Sequence, residues 1–103
     1  MARATGFRYV PPVTTLAAYP GGELVAQGLA DLAAGHETIA SLLVSVGAER
    51  MREAGLAVPP GLGDAERRLY DLLARDGADA AHSRYNALIR ELVSFERALE
   101  CAR

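Results

Sequence analysis

The sequence predicts an all-α protein: a bundle of four to five helices with a long C-terminal helix and an extended N-terminal arm. Three observations predict it. Between Asp79 and Cys101, the side chains Ala81, Tyr85, Leu88, Leu92, Phe95 and Leu99 recur at gaps of four, three, four, three and four residues. That is the roughly 3.5-residue period of a helix laid along other helices. Shorter stretches of the same helical kind are punctuated upstream by Gly and Pro. No segment after residue 22 alternates as a strand would; the one strand-like piece is Phe7 to Val13.

The last helix carries the clearest signal. Ile89 and Val93 widen its apolar seam on one flank, Ala102 extends it, and Arg90, Ser94 and Arg97 fall on the wet side. Residues 1–22 read as the arm and residues 23–103 as a single helical domain. Pro11-Pro12 enforce extended backbone, and Pro20-Gly21-Gly22 is a strong break. The arm is rich in apolar residues, with Phe7, Tyr9, Val10, Val13, Leu16 and Tyr19. Phe7, Tyr9 and Val10 are therefore expected contact residues on a helical surface, the chain's own or a partner's. Thr15 could cap one short turn from Leu16 to Tyr19.

Glu23 to Ala34 reads as a helix with Leu24, Val25, Gly28, Leu29 and Leu32 on one face, ended by Gly35 in a left-handed cap. Gly28 on that face implies close approach of another helix. A second helix is expected from Glu37 to Val46, with Gly47 as a stop or kink and a short polar helix from Ala48 to Ala54 beyond it. Leu56 to Gly63 is a connector pinned by Leu56, Val58 and Leu62. Asp64 is the expected N-cap of a third major helix bearing Leu69, Leu72 and Leu73, which Asp76-Gly77 ends. Asp79 is the expected cap of the last helix.

The totals narrow the function classes. The chain has 103 residues, half of them hydrophobic, many of them Ala, with six aromatics and no Trp. Such a core buries little area per side chain, so part of the apolar surface is expected to be completed by a second copy. A net charge of −2 argues against a dedicated nucleic-acid binder. All eleven basic residues are Arg, which with the abundant Ala fits a GC-rich bacterial genome. One cysteine, Cys101, no secretory apolar run and no stretch of about 18 apolar residues point to a cytoplasmic protein without a membrane span.

Candidate chemistry is sparse. His36 and His82 are not spaced as metal ligands, and zinc would want three or four. The glycine pairs lack the Lys and the preceding strand of a phosphate-binding loop, so neither metal nor cofactor is expected. His82, Arg84 and Tyr85 crowd the first turns of the last helix, where imidazole beside guanidinium and phenol could do acid–base work. Arg75, then six residues, then His82 is similar to the Arg-to-His spacing of the HEPN family of helical ribonucleases, in which a polar residue follows the Arg as Asp76 does here. The resemblance spans two or three positions. It implies a helical bundle that dimerises around the motif, and a ribonuclease or toxin-type enzyme cutting through Arg75 and His82. From the residues themselves the expectation is a small protein acting through protein–protein contacts, as a homodimer or a partner-binding subunit.

Overall fold

The computed structural model describes residues 16–102. Four helices follow one another: α1 Gly22–Ala34, α2 Ile39–Glu53, α3 Ala65–Arg75 and α4 Ala78–Ala102. Among the described residues there is no strand, and the fold class is all-α with a long C-terminal helix. At 25 residues and 1.5 Å per residue, α4 is about 37 Å long, against a radius of gyration of 14.0 Å. The expected arm lies mostly outside the described residues, as do Phe7, Tyr9 and Val10. Its last part is a compact turn. Tyr19 N–H donates to the Leu16 carbonyl at 3.0 Å, and Gly22 N–H to that of Tyr19 at 2.9 Å. Leu16 is buried, and the Tyr19 ring rests on Phe95 with centroids 5.7 Å apart.

α1 packs on α2 through Gly28. A Cβ there would come within 2.3 Å of the Ala40 carbonyl oxygen and 2.4 Å of a Val44 methyl, so only hydrogen lets the two backbones approach. Gly35 ends α1 with φ 79°. The corner into α2 is tied by a relay: the Thr38 hydroxyl donates to Asp31 at 2.7 Å and accepts the Ser41 N–H at 3.0 Å. The Ser41 hydroxyl oxygen accepts the Thr38 N–H at 2.7 Å, completing a capping box. Thr38 is therefore the cap of α2, and His36 and Glu37 precede the helix instead of starting it. Glu37 reaches Arg68 of α3 in an ion pair.

Three more boundary expectations are corrected. Gly47 does not stop α2, which runs unbroken from Ile39 to Glu53. Backbone hydrogen bonds on both sides carry the helix through a residue whose missing side chain makes room for α4. Asp64 stands at the N-cap of α3 with φ 55° but makes no side-chain cap; its carboxylate takes the Arg67 guanidinium at 2.7 Å instead. Asp79 lies inside the first turn of α4, which begins at Ala78. The connector is pinned as expected by buried Leu56 and half-buried Val58 and Leu62, and also by polar ties. Arg52 donates to the carbonyls of Val58 and Pro59, and Ser45 Oγ accepts the Leu62 N–H at 2.9 Å.

The core forms around α2, on which α1, α3 and α4 all pack. Leu42, Leu43, Met51, Leu56, Leu69, Leu73 and Phe95 are fully enclosed. The α4 seam is buried at Ala81, Leu92, Phe95 and Leu99 and half-buried at Tyr85 and Leu88. It ends there: Cys101 and Ala102 are exposed. Arg90, Ser94 and Arg97 face water, as the period requires.

Candidate functional site

The seam of α4 has one member that is not apolar. Glu96 is only 4% exposed. It follows Phe95 and stands one turn beyond Leu92, on the flank begun by Ile89 and Val93. Its carboxylate fits because α2 offers Gly47 opposite. A Cβ at Gly47 would come within 2.5 Å of Glu96 Oε2 and 2.9 Å of Leu92 Cδ1.

This meeting point is the floor of a groove of about 310 Å³ between α2, the start of α3 and α4. Val46 lines it from α2; Tyr85, Ile89 and Val93 line it from α4, spaced four residues apart and all half-buried. Glu49, Arg50, Glu66 and Asn86 stand around it. Three carboxylates, Glu49, Glu66 and Glu96, thus share the groove with one guanidinium, and that guanidinium is already engaged. Arg50 Nη2 lies 2.9 Å from Glu100, while its Nη1 lies 3.9 Å from Glu96. No hydrogen bond reaches the Glu96 carboxylate among the described residues.

The electrostatics follow from that geometry. Burial raises the pKa of Glu96; Arg50 pulls it back in part, and Glu100 adds to the rise. The Tyr85 phenol is raised too, first by burial and then by Glu66. The groove therefore combines apolar walls with an acidic, poorly solvated floor. Such walls and floor suit a cation that carries apolar surface. No imidazole or thiol lines it among the described residues.

The residues singled out in the sequence are placed differently. Arg75 is exposed in the last turn of α3. His82 is exposed on α4, its Nε2 3.2 Å from the Asn86 amide. Arg84 lies 3.6 Å from Asp76. Tyr85 packs its ring on Tyr70 at 5.7 Å and lines the groove. No hydrogen bond or ion pair joins Arg75 to His82 among the described residues. Nor is any group of three His, Cys, Asp or Glu placed there to hold a metal ion. No single described helix is long and apolar enough to cross a membrane.

Glu96 was missed in the sequence, though a signal was there. A glutamate three residues past Val93 and seven past Ile89 falls on the flank assigned to the core, and a helical glycine upstream could have been read as its seat. No protein-family model matches the chain, and no curated protein or solved structure matches it either.

Proposed function

We propose that the chain acts through protein–protein contacts as a homodimer, with the groove flank of α4 as the contact face and no catalytic step of its own. The observation that carries this reading is the row Tyr85, Ile89 and Val93, left half-open to water beside Val46. Apolar side chains at such helical spacing are the anchors by which one helix lies in the groove of another protein. The remaining core supports the reading. Small alanines such as Ala26, Ala40, Ala48, Ala65 and Ala81 fill much of it, and a second copy would add the apolar area they do not supply.

A second copy is the favoured occupant because the chain carries both halves of a charge match. The groove is acidic, and on the same helix Arg90 and Arg97 are exposed and make no ion pair among the described residues. Static light scattering over a dilution series tests the reading. A dimer mass that falls to the monomer value on dilution supports it. A monomer mass at every concentration overturns it.

A further inference from the structure

The homodimer reading leaves open which groups meet in the groove, and the buried carboxylate answers that question. Glu96 is enclosed, yet among the described residues its nearest cation stands 3.9 Å away and is turned to Glu100. A charge already taken out of water has met most of its desolvation cost in the folded chain. A guanidinium arriving there gains the attraction without that cost being met again. Glu49 and Glu66 at the rim add to the pull.

We propose that Arg97 of each chain enters the groove of the second copy and pairs with the partner's Glu96, the two α4 helices packing in parallel about a two-fold axis at Val93. The inference rests on the homodimer reading and adds its register. At 3.6 residues per turn, Arg97 is turned about 40° from Val93 to one side, and Glu96 about 60° to the other. A two-fold axis parallel to the helices brings each residue opposite the far wall of its partner at the same height. Arg97 follows Glu96 by one residue, so the two come level across the interface. An antiparallel pair would set each wall against itself, acid upon acid, which is unfavourable. The parallel arrangement also stacks Val93 on the partner's Val93 at the centre of the contact.

The test is a mixing experiment read by native mass spectrometry, using Glu96→Gln and Arg97→Gln in the full chain. Arg97 is exposed, so its variant leaves the monomer core untouched, and Gln preserves the volume of Glu96. Each variant alone is expected to weaken its own dimer by roughly tenfold or more. Mixed together, they restore one Arg97–Glu96 pair in the heterodimer alone, which should exceed its statistical share. A statistical mixture, or single variants that dimerise as tightly as the wild-type chain, overturns the pairing while leaving the dimer standing. A wild-type chain that stays monomeric overturns the dimer itself, and the pairing with it.

Discussion

The carboxylate of Glu96 lies over Gly47, so close that a Cβ on the glycine would come within 2.5 Å of Oε2. The neighbours here are side-chain ends, which can swing away. At Gly28 the nearest atom is the Ala40 backbone oxygen, which cannot. Gly28→Ala should therefore destabilise by about 1–3 kcal/mol through overpacking. Gly47→Ala should stay within about 1 kcal/mol of wild type, because the gain in helix propensity offsets the local shift. It should still weaken the proposed dimer by displacing Glu96. Chemical denaturation and light scattering on the two variants measure the contrast.

Glu96 also sets a pH dependence. Its burial favours the protonated form, so over the window above the ordinary carboxylate range the folded chain holds a proton that the unfolded chain releases. The stability linked to this group is then full below that window and falls as pH rises through it. The charged groups facing it are Arg50 and Glu49 from α2, Glu66 from α3, and Glu100 on its own helix, with the Tyr85 phenol beside them. In dilute solution, Glu96→Gln should flatten the curve and leave the chain more stable than wild type at pH 7. Thermal melts across the acid-to-neutral range check this; a variant less stable than wild type at neutral pH would contradict it.

The α1–α2 corner gives an independent prediction. Thr38 caps α2 and donates to Asp31. Thr38→Ala should cost about 0.5–2 kcal/mol, the usual worth of such a cap. The Asp31 carboxyl is held below its ordinary value first by the Thr38 hydroxyl and then by Gln27. Its contribution to stability is present above the ordinary range and lost as pH falls. Removing the hydroxyl should let the pKa rise, which NMR titration of the Asp31 side-chain carbon would show.

The seam of α4 predicts a contrast between neighbours. Leu92 is 3% exposed while Arg90 faces water. Leu92→Ala should cost about 2–5 kcal/mol by opening a cavity. Arg90→Ala should change monomer stability by no more than about 0.5 kcal/mol. Equal losses at both positions would contradict the packing of this helix.

The parts of this fold legible in the sequence are those governed by period and punctuation. The spacing of Ala81, Leu92, Phe95 and Leu99 announces α4, and Gly28 and Gly35 announce a close contact and a helix end. The misread positions are those where one residue type serves two physical ends. Gly47 reads as a helix stop, but a glycine within a helix also makes room for a neighbour, and only the facing helix decides between them. Asp64 reads as a cap, yet Arg67 one turn on competes for its carboxylate. Arg75 and His82 are close in sequence, but a helix break at Asp76-Gly77 separates them. The site lay in a gap of the hydrophobic pattern: Glu96, charged, on a flank otherwise held by Ile89 and Val93.

Two copies packed along parallel α4 helices would bring their Cys101 residues together, and Cys101 supplies the probe. It is exposed near the end of α4 and is the sole cysteine in the sequence. A spin label on it reports the distance between copies by electron–electron dipolar spectroscopy at concentrations where the dimer forms. Parallel helices packed about 8–10 Å apart place the two labelled backbones roughly 10–15 Å from each other. An antiparallel pair centred on Val93 separates them by about 24 Å along the axis alone, eight residues to either side at 1.5 Å each. The short distance is expected. A distance well beyond 20 Å, or no dipolar coupling at any concentration, would contradict it.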